Sequence, residues 1–195
     1  TDERTGVGFF NSVQGARISN LVFESPEIQA ETSNSVGTVL GYCDRSQLLN
    51  TTINGMMVRG GSDVGGIAGE QYECKLIGGT LSGTVVGLLD DVGGLVGATG
   101  QGDIIDFDAT ITVDSPLAYS VGGIIGLDGW SRTLVQDVHV EGTVIGYVDV
   151  GGFLGANADG SSFYRSTFKG EVTGTTGVGG FAGAAYDVPF VIRSS

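Results

Sequence analysis

The apolar positions of the chain fall into short runs of three to six residues, rich in Val, Ile, Thr and Phe and separated by Gly, Asp, Asn and Ser. Runs of that length and composition read as strand segments. No apolar stripe at helical spacing persists anywhere in the chain. The runs recur. A Val-Gly pair opens a block at Val7, Val36, Val64, Val92, Val121, Val150 and Val178, at spacings of 29, 28, 28, 29, 29 and 28 residues. The blocks read VGFFNS, VGTVLG, VGGIAG, VGGLVG, VGGIIG, VGGFLG and VGGFAG. A second, weaker block follows, starting at Ile18, Leu48, Leu76, Val135 and Phe163, with an irregular copy near Ile104–Ile111. A third apolar column joins Met57, Val85, Val113, Val144 and Val172, with Ile28 as its first member.

A unit of 28–29 residues with about three short strands cannot bury its apolar face by itself. Stacked units can, because equivalent residues then lie over one another at the strand spacing of about 4.8 Å. The pattern therefore predicts an all-β fold, a parallel β-solenoid of roughly triangular section. Its expected hand is right, as for other β-crossover-β connections. Residues 1–195 form one domain of six full coils and a partial seventh, roughly 30 Å long at that spacing.

The Gly-Gly-apolar-any-Gly core of the first block resembles the GLUG motif. Blocks 64–69, 92–97, 121–126, 150–155 and 178–183 match it closely, Val36 is followed by Thr38 in place of the second Gly, and the block at Val7 has lost both later glycines. The resemblance covers nearly the whole chain. It implies a secreted or cell-surface protein of adhesin type with a structural or adhesive role, and it supplies no catalytic residues.

Within the block, apolar residues stand at neighbouring places. One place holds Phe10, Val39, Ile67, Leu95, Ile124, Phe153 and Phe181, and the next holds Asn11, Leu40, Ala68, Val96, Ile125, Leu154 and Ala182. Adjacent residues cannot both face inward along a regular strand. Either the Gly pair bends the chain so that both reach the core, or one column faces out. In the second case Ile67, Leu95, Ile124, Phe153 and Phe181 form a stripe for lateral assembly. In the second block, Asn20, Asn50, Gly78, Asp106 and Asp137 occupy matching places. They suggest a stacked turn whose side chains satisfy backbone groups.

Composition narrows the function. Of 195 residues 36 are Gly and only 3 are Pro, without the triplet period of collagen. Acids outnumber bases 22 to 9, for a net charge of −13. Such a surface repels phosphate backbones and anionic lipid, so nucleic acid is not an expected partner. No apolar run is long enough to insert in a membrane. The Lys-poor, Asp-rich surface suits high salt. Asn50-Thr51-Thr52 is a glycosylation sequon where the host supplies that chemistry. The chain opens at Thr1 without Met, so we expect a processed protein or a block of a longer one. We expect both solenoid ends to be covered, by more chain, another domain or a neighbouring copy.

Little in the chain suggests catalysis, and no enzyme activity or cofactor is expected. His139 is the only His, with Asp137 two residues before it, and it reads as a surface strand residue. Asp103, Asp106 and Asp108 form the nearest carboxylate group and lack a nearby base. Asp63, Asp90, Asp91 and Asp149 precede their Val-Gly blocks, and stacked Asp63 and Asp91 repel unless a cation such as calcium or solvent intervenes. Two Cys with one His make no zinc site. Cys43 and Cys74 lie 7 and 10 residues after Val36 and Val64, in equivalent loops of consecutive coils. That placement predicts a disulfide and an oxidising, extracellular compartment.

The loops after the first block vary most, and variable loops on one edge of a solenoid are where binding lives. Tyr42, Tyr72, Trp130 and Arg132 are the candidate binding residues there, in segments that include Gln71, Asp128 and Asn157. The expected function is an extracellular structural or adhesive module, acting as spacer, stalk or filament former, with other domains or further copies as partners, end to end or laterally. The alternative is a ligand-binding solenoid for glycan or ice. Ice binding needs a flat Thr row, and Thr84, Thr112 and Thr143 make a partial one, broken by Met56 below and Glu171 above. A polysaccharide-active enzyme is a third, weaker reading.

Overall fold

The computed structural model describes residues 6–129, 132–158, 160–186 and 191–193. They are all β, without a helix, in parallel strands stacked as a solenoid of about six turns. The Val-Gly blocks lie one above another: Val36 pairs with Val64, Val64 with Val92, Val92 with Val121, Val121 with Val150 and Val150 with Val178. The coil that runs from Leu40 shows how the chain closes. Strand Leu40–Asp44 turns at Arg45 into strand Gln47–Gly65, and a tight bend then leads to strand Ala68–Gly87.

Corners are made by single residues in the left-handed conformation, and these too are stacked. Ser35, Asp63, Asp91, Ser120 and Asp149, each just before a Val-Gly pair, have φ of 54, 49, 57, 51 and 56°. The expected turn of the second block is a column of the same kind: Asn20, Asn50, Gly78, Asp106 and Asp137 all have φ between 52 and 74°. Asn and Asp enter this region at lower cost than most residues, because the short polar side chain bonds locally. Asn50 Nδ2 donates to Asn20 Oδ1 at 3.2 Å along the column. A third column, Arg45, Glu73 and Gln101, uses residues with no such preference, so its corners were not legible in the residue types.

The Gly-Gly bend puts both neighbouring apolar places inside. Ile67, Leu95 and Ile124 are 0% exposed, Phe153 is buried, and Phe181 packs partly buried against the core. Ala68, Val96, Ile125 and Leu154 are equally buried. The lateral stripe is therefore corrected: Ile67, Leu95, Ile124 and Phe153 are core, Phe181 packs partly buried against them, and the bend is what turns both columns inward. The cause is backbone packing. A Cβ on Gly66 would overlap the carbonyl oxygen of Gly94 in the next coil, and a Cβ on Gly94 that of Gly123. The last glycine of the block is pressed on its other side, since a Cβ on Gly69 would overlap the backbone of Ser35 and Val36. The motif is a strand–bend–strand pinched to main-chain contact. Only at Gly180, in the last coil, is the space open.

Two registers differ from the expected ones. In the first block Phe10 pairs with Leu40, so its bend is one residue shorter and Phe10 occupies the second apolar column. In the second coil the ladder slips between Ile53 and Met56. The third core column is therefore Ile28, Val58, Val85, Val113, Val144 and Val172. Met57 is 42% exposed, whereas Val58 is 0% exposed. Met56 turns inward beneath Gly66.

Cys43 and Cys74 form the expected disulfide, with Cα atoms 6.3 Å apart. Cys43 is in register with Gln71, and the corner at Glu73 brings Cys74 back within reach.

Candidate functional site

Along the edge that carries the variable loops, the inward column reads Val13, Cys43, Gln71, Thr99, Asp128 and Asn157. Its polar members are fully buried and joined to one another. Gln71 Nε2 donates to Thr99 Oγ1 at 3.0 Å, Thr99 and Thr133 hydroxyls are 3.2 Å apart, and Thr133 Oγ1 donates to Asp128 Oδ1 at 3.0 Å. Asp128 Oδ2 accepts from Asn157 Nδ2 at 3.0 Å and from Ser161 Oγ. These hydrogen bonds to the Asp128 carboxyl group are what make its burial tolerable. Gln71, Asp128 and Asn157, grouped by sequence with the binding loops, are thus interior residues.

The outer rim of the same edge is open. Arg132 is exposed and borders two shallow clefts. One, of about 520 Å³, is completed by Thr133, Leu134, Gln136, Ser162 and Tyr164. The other, of about 360 Å³, has Glu73, Lys75, Gln101 and Asp103 on its walls, with Lys75 Nζ 2.9 Å from Asp103 Oδ2. A guanidinium donor beside carboxylate and amide acceptors suits a hydroxyl-rich ligand. Tyr42 and Tyr72 line neither cleft, and Trp130 lies outside the described residues. Of the candidate residues that are described, Arg132 is the one that lines these two clefts.

The carboxylates do not converge. Asp103 is held by Lys75, Asp106 makes a corner, and Asp108 stands on the outer face between Thr80 and His139. His139 Nδ1 lies 2.9 Å from Thr167 Oγ1 on the exposed face. Asp137 is a corner residue bonded to Arg165, with Nη2 to Oδ2 at 2.6 Å, and does not serve His139 as an orienting acid. The Thr row is real in register, Thr84 to Thr112 to Thr143, but its neighbours are Met57 and Glu171. Met56, expected beside it, is in the core because of the register slip.

At the Val-Gly corner, burial raises the Asp63 carboxyl to about 7, helped by the charges of Asp91, Glu70 and Asp90. Asp91 is raised to about 6, chiefly by burial, while the Ser120 hydroxyl bonded to it acts in the opposite sense. The interaction between the two carboxyls acts in opposite senses, raising Asp63 and lowering Asp91. The charge of Asp91 is among the causes that raise Asp63, in keeping with the expected repulsion of these stacked acids. Among the described residues, no group of three or more His, Cys, Asp and Glu is arranged to hold a metal ion.

One outer feature has no counterpart in the repeat pattern. Leu89, Leu117 (73% exposed), Tyr119 and Tyr147 form an exposed ridge beside this corner, with the two tyrosine rings edge to face at 5.7 Å. Leu89 and Leu117 lie in connections between strands, so strand periodicity carries no signal for them. No family model matches the chain, and neither a curated protein nor a solved structure is found to be similar to it.

Proposed function

We propose that the chain is a structural or adhesive module of an extracellular surface protein, a solenoid block that spaces or presents other elements. The observation that carries this reading is axial continuity. The same columns run in register from coil to coil, and every coil is built on the one before. Such an array transmits position along one axis, as repeat solenoids do. The disulfide between consecutive coils belongs with an oxidising compartment, and the acidic surface keeps the block dispersed in solution. The resemblance of the repeat to the GLUG motif supports the same location. Labelling of intact cells of the source organism with an antibody to this block is the direct test. Surface labelling without permeabilisation is expected, and signal only after permeabilisation overturns the reading.

A second reading, glycan binding, is favoured by one feature, the two clefts astride Arg132. A glycan array probed with the native protein and with Arg132→Ala tests it. Binding that is lost in the variant supports the reading, and an array without binding removes it.

A further inference from the structure

We infer that the exposed ridge of Leu89, Leu117, Tyr119 and Tyr147 is the docking surface for an arginine-bearing segment of a partner protein, whose guanidinium groups lie on the tyrosine rings and against the carboxylates beside them. The inference rests on the structural or adhesive reading and adds to it a surface and the chemistry of what it holds.

The ridge belongs to the middle of the solenoid. Asp90 is in register with Tyr119, Tyr119 with Val148 and Val148 with Thr176, so described coils continue on both sides of it. Its exposure owes nothing to an open end. Leu117 stands out because its coil is locally longer. The path from Val113 to the corner at Ser120 takes seven residue steps (120 − 113), against five from Val144 to Asp149 (149 − 144) in the next coil. The extra length is folded into a tight turn at 115–118, where Ala118 N donates to the Ser115 carbonyl at 2.9 Å. Pro116 holds the second place of the turn, where Pro is favoured. Gly87 N donates to Ser115 Oγ at 2.8 Å and ties the turn to the coil below. Ser115 and Ala118 are fully buried, while Leu117 between them is the most exposed of the ridge residues. A turn fixed at both feet presents an apolar side chain to water at a constant place. Such preorganisation lowers the ordering cost of binding.

The surroundings select the partner's charge. Asp90, beside Tyr119, is exposed, and so is Asp114, which ends the strand entering the turn. Arg59, level with Val86 in the coil of Asp90, is already bonded to Glu31. Lys75, Arg165 and Lys169 likewise hold Asp103, Asp137 and Glu141. The ridge thus offers apolar side chains and carboxylates together. Tyr119 and Tyr147 meet edge to face, at 86°, so neither ring is stacked flat on the other. Arginine fits this combination. Its stem packs on apolar surface, its planar head stacks on an aromatic face, and its N–H groups donate to carboxylates. A second copy of this chain fits worse, because it sets like charges together in a protein of net charge −13.

Fluorescence anisotropy of a labelled Gly-Arg repeat peptide with the oxidised protein at physiological salt tests this. The same peptide with citrulline in place of arginine is the neutral control. Binding of the arginine peptide is expected, and none of the citrulline peptide. The double variant Tyr119→Leu, Tyr147→Leu keeps the net charge and the apolar bulk, and is expected to weaken binding about tenfold. Asp90→Asn is expected to weaken it about threefold. Asp108→Asn removes the same charge from the outer face at Thr80 and His139 and is expected to leave binding unchanged at that salt. The four altered side chains are exposed, so the core is untouched. Equal binding by the tyrosine variant and the native protein reduces the attraction to net charge and overturns the inference. Equal binding of the citrulline peptide, or no binding of either, does the same. So does self-association of the protein alone that the tyrosine variant abolishes, which gives the ridge to a second copy. These results leave the module reading standing, whereas absence of the protein from the cell surface overturns that reading whatever the peptides do.

Discussion

Asp63 shows how much a single corner residue is asked to do. It adopts a left-handed conformation, is half-buried and stands beside Asp91, with its carboxyl raised. Its carboxyl titrates near 7 in the fold and in the ordinary range, about 3.8, in the unfolded chain. The folded form therefore retains a proton that the unfolded form has already lost between those values. This contribution to stability is complete below about pH 4 and falls away as the pH rises through 7. Asp63→Asn keeps a residue that tolerates the corner and removes the titration. Relative to the native protein it is expected to stabilise at pH 8, on the order of 2–4 kcal/mol, and to change little at pH 4. Chemical denaturation at the two pH values measures it, and an equal effect at both contradicts the raised carboxyl. The block glycines give a second contrast at this scale. Gly94→Ala drives a methyl into the carbonyl of Gly123, whereas Gly180→Ala meets open space. A loss of roughly 2–4 kcal/mol is expected for the first and a change within about 0.5 kcal/mol for the second. Equal losses contradict the pinched geometry. The glycines were legible because the same contact recurs in coil after coil, whereas the raised Asp63 carboxyl depends on particular acids meeting at one corner.

At the scale of the strand, recurrence is what made the fold readable, and its interruptions are what hid the rest. The Val-Gly columns repeat at near-constant spacing, so their stacking followed from the residues alone. The slip at Ile53–Met56 did not, because one extra residue leaves two alignments, Met57 or Val58 inward, that the apolar pattern fits equally. Val58→Ala is expected to cost roughly 1–3 kcal/mol for a buried truncation and Met57→Ala less than about 0.5 kcal/mol. Thermal unfolding of both variants separates the alignments, and the reverse order restores the one read from sequence. The polar column Gln71, Thr99, Asp128 and Asn157 was hidden for another reason. Polar residues in a variable loop read as outward, and which side they take is set by the corners that flank them. The disulfide was legible because strand spacing constrains the distance between equivalent loops of consecutive coils. Closing 31 residues, it stabilises by roughly 3–4 kcal/mol in the chain-entropy account. Reduction is expected to lower the denaturant midpoint accordingly without loss of β structure by circular dichroism at low denaturant. A protein that unfolds outright on reduction gives the bond a larger part than the stacked core.

For the whole molecule, stacked units with nearest-neighbour contacts imply that stability is close to a sum over coils and interfaces. A whole coil is then removable, because the coils above and below present the same columns. Deleting Val92–Ser120, 29 residues, joins Asp91 to Val121 and sets Val64 against Val121, Leu76 against Val135 and Val85 against Val144. The interior polar column also survives, with the Gln71 amide placed against the Asp128 carboxylate in place of Thr99. The cross-coil pair Lys75–Asp103 is lost, an exposed contact worth little. The shortened chain is expected to fold, to keep its Cys43–Cys74 bond and to be shorter by about 4.8 Å along the axis in small-angle scattering. Deleting Val92–Ile105, half a coil, instead sets strand residues against corner residues in every later coil and leaves left-handed positions facing extended ones. That variant is expected to lose its cooperative transition. If both deletions fold equally well, register does not govern this molecule. If neither folds, the coils are not interchangeable units, and the stability of the solenoid resides in particular coils, such as the disulfide-linked pair, and is not shared along the axis.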